Sequence, residues 1–260
     1  MKLKGFTLIE LLVVMALISL MTALVMPSIG RAKETARRLL CTHNLHSIGT
    51  GLKAYETVQH DALPAQYDRW GPDSETYSTD FLEPWVSYVA YHKDVVFVSG
   101  KMQPLQLAKL YENNILENPK VFYCSSQTRR GDNFVFTYEY YTKRTRSIWG
   151  SALPTKTNGQ PDDKIRSSYH YWLHGKKSLA NLSLAPVVFD NIQHWNSVAH
   201  THSGQPYGVN ALFGDGHVNF TSDQTLFDRQ IWNGGPDAGP WDGPGNSRDL
   251  FNHILALLDP

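Results

Sequence analysis

The chain has 260 residues, 42% hydrophobic and 18% charged, the make-up of a globular protein with room for one good-sized domain or two small ones. Its 24 Lys and Arg balance 24 Asp and Glu, so there is no basic excess of the kind that marks a nucleic-acid-binding chain. The two cysteines, Cys41 and Cys124, form no CxxC pair, which gives no support to a thiolate zinc site or a thioredoxin-like motif.

Residues 6–26 read FTLIELLVVMALISLMTALVM, 21 positions with a single charge, Glu10. As a helix they extend about 31 Å at roughly 1.5 Å per residue, enough to cross a bilayer core. Lys2 and Lys4 precede the run and hold that end in the cytoplasm, placing everything after Pro27 outside. A cleaved secretory signal fits poorly, because no A-x-A-like site follows the apolar run. A plain anchor explains the length but not Glu10, since an unpaired charge in a membrane helix costs at least a few kcal/mol. The helix dipole favours a carboxylate near the N-terminus, which is the plainer account of Glu10.

Gly5-Phe6-Thr7-Leu8-Ile9-Glu10 and the apolar run behind it resemble the class III signal of type IV prepilins and type II secretion pseudopilins. The resemblance implies cleavage between Gly5 and Phe6, with residues 1–5 as leader, and N-methylation of Phe6. It also implies that Glu10 pairs with the amino terminus of a neighbouring subunit, so that Phe6 and Glu10 are the assembly residues. Charges that are costly alone in lipid become tolerable when paired. Pro27 matches the family's helix kink, proline being unable to donate the helical hydrogen bond. The implied partners are a prepilin peptidase, other pilin or pseudopilin subunits in a homo- or hetero-polymer, an inner-membrane assembly platform and the lipid bilayer. The implied location is the bacterial inner membrane, single-pass, with the C-terminal part in the periplasm or on the cell surface. A structural subunit is expected, with no catalytic residues and no enzyme activity. The leader does not separate a pilus from a secretion pseudopilus, although a large globular part leans towards a minor or specialised subunit. The alternative of another class is a membrane-anchored extracytoplasmic binding protein that never polymerises.

Beyond Pro27, Cys41, Leu45, Ile48, Leu52 and Tyr55 follow one another at spacings of four, three, four and three, one stripe of a 3.6-residue helix. This predicts one helix from about Phe6 to Tyr55. Its first part (6–26) lies in membrane or filament core, and its amphipathic continuation (27–60) packs on a globular α+β domain at 61–260. Arg31, Lys33, Arg37, Arg38 and Lys53 stay solvated or meet lipid headgroups, and Gly49 and Gly51 weaken the helix locally. Cys41 falls on the inward face, within potential reach of Cys124. An exported domain favours a disulfide between them; two free thiols are the other reading.

From Leu63 onward, Pro, Gly and Ser/Thr/Asp clusters mark a loop. Helices are predicted at 83–92 and 104–116, each with Pro in its first turn. Strands are predicted at 121–124, 134–141, 168–173, 187–190, 209–213 and 217–220. The last two are joined by Gly214-Asp215-Gly216, a hairpin signal. A Gly/Pro-rich loop at 234–247 precedes a closing helix at 248–258. A long N-terminal helix followed by an antiparallel sheet is the pilin-like architecture. NPKVFYCSS and GVNALFGDGHVNF also resemble segments of a large group of pseudopilin-like proteins with a variable middle. That group places a His at a set distance before the Asp-Gly hairpin. Here His202 precedes Asp215 by 13 positions, a wider gap, and Ser125 replaces the usual proline after the second cysteine.

His194, His200, His202 and His217 gather in sequence with Asp190 and Asp215, residue types that bind zinc or iron. His200 and His202 are expected to share one face of a strand. No HExxH or EF-hand loop fixes a spacing, so no metal site is expected, and a surface or hairpin-packing role is preferred. No cofactor is expected; the alternative is calcium at Asp237 and Asp242, loop carboxylates of a type that holds calcium in some pseudopilins. Residues 134–149, FVFTYEYYTKRTRSIW, interleave aromatics and cations as single-stranded nucleic-acid sites do. The plainer reading is an amphipathic strand with a solvated turn, and nucleic acid is not expected as a partner.

Overall fold

The structure is a computed structural model that describes residues 6–67, 75–76, 86–95, 101–127, 136–143, 149–155, 159–228, 231–232 and 247–258. Helix α1 (Leu8–Val58) runs unbroken for 51 residues and passes through Pro27. Leu, Met and Ala, all good helix formers, outnumber the β-branched residues in its first half. Thr7 caps its start in extended conformation, and the Gln59 N–H bonds the Tyr55 carbonyl at its end. The predicted stripe is the buried face: Cys41, Leu45, Ile48, Leu52 and Tyr55 are all inside, joined by Gly51 and Glu56. Gly49 and Gly51 serve close approach. A Cβ at 49 would meet Leu212 Cδ1 at 3.0 Å, and one at 51 would meet Leu116 at 3.1 Å. Whatever helix propensity they lose is offset by packing that a larger residue would push apart.

Two short ladders follow α1. Strand β1 (Gln66–Tyr67) pairs with β2 (Glu75–Thr76), and β3 (Val89–His92) pairs antiparallel with β4 (Lys164–Arg166), whose Arg166 bonds buried Asp162, just ahead of the strand, at 3.0 Å. Between them lie α2 (Ala108–Glu112), a 3-10 turn at Pro119–Phe122 and α3 (Tyr138–Lys143). The main sheet has five antiparallel strands: β5 (Tyr169–Tyr171), β6 (Pro186–Asp190), β7 (His200–His202), β8 (Gln205–Phe213) and β9 (Val218–Thr221). Strand β8 is the longest. It pairs with β6 and with β7, and through residues 209–212 with β9. The β8–β9 hairpin closes as its Asp-Gly predicted, with Gly216 at φ +95° and its N–H bonded to the Phe213 carbonyl. Helix α4 (Ser247–Ala256) ends the described chain.

The main sheet is the middle layer between two helices. Side chains alternate across a strand, so Tyr169, Tyr171, Val188 and Leu212 join α1 in one core. Trp172, Phe189, Ala211 and Phe213 face the other way and pack with Phe251, Ile254, Leu255 and Leu258 of the C-terminal segment. Buried Glu56 ties the end of α1 to the domain, accepting from Ser178 Oγ at 2.6 Å, from the Leu179 N–H at 2.8 Å and from Lys53 Nζ at 2.7 Å.

The α+β, pilin-like class stands, but three predicted elements do not and a fourth is shortened. In 83–92, residues 89–92 are strand β3, because Val89, Ala90 and Tyr91 are consecutively buried against a partner more than 70 residues away. In 104–116 only Ala108–Glu112 are helical. Asn114 takes φ +55°, and the Ile115 and Leu116 N–H groups turn back to the Leu110 carbonyl, which ends the helix. In 121–124, Asn118 caps a 3-10 turn with Pro119 at its start, and only then does the chain extend at Tyr123. In 134–141, the described part from Tyr138 is helix α3. Phe136, Tyr140, Tyr141 and Trp149 are buried, so those aromatics form core and offer no stacking platform.

Candidate functional site

The first part of the site is the free end of α1. The large apolar residues from Phe6 to Ile29 are exposed, and Leu8 is 80% accessible. About 40 Å of helix separates Leu8 from Glu34, the first helix residue that hydrogen-bonds the domain among the described residues. This helix is long and apolar enough to cross a membrane by length and composition. A contiguous apolar surface of this size requires lipid or protein cover.

At its tip, Thr7 and Glu10 form a reciprocal capping box. Thr7 Oγ1 accepts from the Glu10 N–H at 3.3 Å, while Glu10 Oε2 accepts from the Thr7 N–H at 2.8 Å and from the Thr7 hydroxyl at 2.6 Å. Glu10 therefore has a partner within its own chain, beside the residue that cleavage would make N-terminal. The T-x-x-E spacing of a capping box was the signal for this in the sequence. Gly5 lies outside the described residues.

The second part is a buried polar cluster where α1 meets β6, β7 and β8. A disulfide joins Cys41 of α1 to Cys124, just past the 3-10 turn, with Cα atoms 5.1 Å apart. Against it lies His200, 1% exposed, whose Nε2 is 3.5 Å from Cys124 Sγ. Two carboxylates flank the ring. Glu34 Oε1 on α1 is 2.8 Å from Nδ1, and Asp190 Oδ2 on β6 is 3.4 Å from Nε2. Ser126 Oγ donates to Glu34 Oε1 at 2.9 Å, and the Asn210 backbone N–H and Nδ2 both donate to Asp190 Oδ2, at 2.7 and 2.8 Å.

Burial opposes charge on His200, but Asp190 and Glu34 outweigh it and raise its pKa to about 9. Burial also pushes the Glu34 carboxyl up, yet the bonds from His200 and Ser126, with the nearby charges of His200 and Arg37, hold it below its ordinary 4.5. Asn210 Nδ2 also lies 2.8 Å from Nε2. That contact suits a singly protonated ring with its proton on Nδ1. When the ring is charged, Nε2–H points to Asp190 and the amide has to turn its oxygen towards it. Arg38 stacks over Phe220 at 4.4 Å beside this cluster.

Residues 1–26 match the family described as "Prokaryotic N-terminal methylation motif", and residues 30–181 match the family described as "Protein of unknown function (DUF1559)". The second match spans more than half of the 260 residues. The chain belongs to the DUF1559 family. It is also similar to the competence protein ComGC of Halalkalibacterium halodurans, 34% identical over 64 residues. The matched stretch covers 25% of this chain and 62% of that relative, so under two thirds of the relative's length. No solved structure matches. The methylation-motif match covers the Gly5–Glu10 signal and the apolar run behind it, in line with the prepilin-type resemblance of the DUF1559 chain's N-terminus.

The histidines that cluster in the sequence of this DUF1559 chain are separated by its fold. His194 caps a 3-10 turn, His217 bonds Asp215 in the hairpin at 2.6 Å, and His202 is exposed. A register shift between His200 and Thr201 breaks the expected shared face, leaving His200 buried and His202 out. Asp237 and Asp242 lie outside the described residues. Glu34, Ser126 and Asn210 were not foreseen. Glu34 carries one signal in hindsight, as the single acid among the cations that follow the apolar run.

Proposed function

We propose that this chain is a subunit of a type IV pilus or secretion pseudopilus, cleaved after Gly5, methylated at Phe6 and polymerised through the 6–26 helix. The observation that carries the reading is the bare apolar half of α1, projecting from a folded domain and capped at its tip by Thr7 and Glu10. In the membrane this half spans the bilayer; in a filament it exchanges lipid for the helices of neighbouring subunits. The charge at Phe6 exists only after cleavage, and Glu10 lies one turn away to pair with that amine on a neighbour. Before assembly the Thr7 bonds hold the same carboxylate. The likeness to a competence protein supports a pilin-type assembly without deciding which machine it serves.

Mass spectrometry of the mature N-terminus tests the reading. The expected chain begins at Phe6 and carries one added methyl group. An intact Met1, or a cut elsewhere, would favour a membrane-anchored binding protein that never polymerises. The Glu10→Ala variant should still insert in the membrane, but its filament yield should fall about tenfold or more, as loss of a contact worth about 1.4 kcal/mol at each association step implies. Wild-type filament yield in that variant would remove Glu10 from the assembly contact.

A further inference from the structure

Cys41 Sγ, Cys124 Sγ and His200 Nε2 lie within 4.8 Å of one another, and all three residues are buried. Cys124 Sγ is 3.5 Å from Nε2, and Asp190 Oδ2 is 3.4 Å from the same nitrogen. In a tetrahedral zinc centre with Zn–S near 2.3 Å and Zn–N or Zn–O near 2.0–2.1 Å, neighbouring S···N and N···O donors stand about 3.6 and about 3.3 Å apart. Both spacings are already present. Glu34 Oε1 bonds the far ring nitrogen at 2.8 Å, so Nε2 is the nitrogen turned towards the sulfurs. A carboxylate on the non-ligating nitrogen is the usual outer support of a metal-bound histidine. Asp190 supplies an independent sign: it is fully buried, and among the described residues its Oδ1 has no hydrogen-bond partner. A buried unpartnered carboxylate oxygen is costly unless something positive comes to it.

We propose that, when the Cys41–Cys124 disulfide is open, Cys41, Cys124, His200 and Asp190 bind one zinc ion. The site is gated by oxidation state, and it does not depend on the filament reading. A phosphine reductant cleaves the S–S bond; water supplies the oxygen of the phosphine oxide and the two protons of the thiols. Zinc then takes both sulfurs as thiolates, and the two thiol protons pass to buffer. Asn210 Nδ2 gives up its contact with Nε2 and keeps its bond to Asp190 Oδ2. In the disulfide form the sulfurs are bonded to each other and the site is closed. A disulfide-exchange oxidant would take the two thiolates back to the disulfide and release the ion. Cysteine spacing gave no hint of this site, because its ligands come from α1, the segment after the 3-10 turn, β6 and β7.

The test uses the full chain in detergent, reduced anaerobically with a phosphine and titrated with Co2+ and then Zn2+. The expected result is one Co2+ per chain with a thiolate-to-cobalt absorption band, bleached by Zn2+, and a Tm that zinc raises. The oxidised chain should show neither. Glu34→Gln keeps every ligand and should weaken affinity about tenfold or more. A reduced, folded chain without the cobalt band, or equal binding by the oxidised chain, overturns the proposal. If reduction alone unfolds the domain, zinc should restore its circular dichroism, and failure to do so counts equally against the site.

Discussion

Replacing Cys41 and Cys124 together by serine is expected to lower the stability of the domain by about 4.5 kcal/mol, the chain-entropy value for a loop of this length. The bond spans 83 positions and joins the long helix to the body of the protein. Without it the unfolded chain regains the freedom of that whole loop. A domain of this size loses roughly 2–4 °C per kcal/mol, so Tm should fall by about 10 °C or more. Thermal unfolding of the full chain in detergent, followed by near-UV circular dichroism, measures this. A drop under about 2 °C would show that packing of the Cys41, Leu45, Ile48 and Leu52 stripe alone fixes the helix to the sheet.

The second large effect is a pH dependence that His200→Gln should abolish. The folded pKa of His200, about 9, lies above its ordinary 6.5. Its contribution is therefore full below about pH 6.5 and lost as pH rises through about 9. That interval corresponds to roughly 3 kcal/mol. Glu34 acts at the other end. Its carboxyl is held below 4.5, so its share is present above pH 4.5 and fades as pH falls through its lowered pKa. The junction between α1 and β7 is thus strongest between about pH 4.5 and 6.5. The variant should be much less stable than wild type at pH 6, where it leaves Asp190 and Glu34 without their cation, and close to it at pH 10. Parallel stability curves for the two proteins across that range would mean that the ring is neutral when folded, with Nε2 accepting from Asn210.

Some of this was legible in residue order because the physics involved is local. An apolar run of 21 residues, a 3.6-residue stripe from Cys41 to Tyr55 and an Asp-Gly hairpin each need only neighbours in sequence to declare themselves. The T-x-x-E cap at Thr7 is equally local. Segments whose conformation depends on a distant partner depart from their local pattern. Val89–His92 carries helix-compatible residues and a nearby proline, but its partner strand begins at Lys164. The alternating aromatics before Lys143 have the look of a strand, yet a short helix buries Tyr140 and Tyr141 together, their rings 5.0 Å apart.

The sequence by itself determined the membrane-type helix, its inward face and the family signal at Gly5, Phe6 and Glu10. Only the tertiary structure decided which of four histidines is buried between Glu34 and Asp190. Burial, charge pairing and disulfide contact are properties of residues brought together across 166 positions, as Glu34 and His200 are, and no spacing along the chain encodes them.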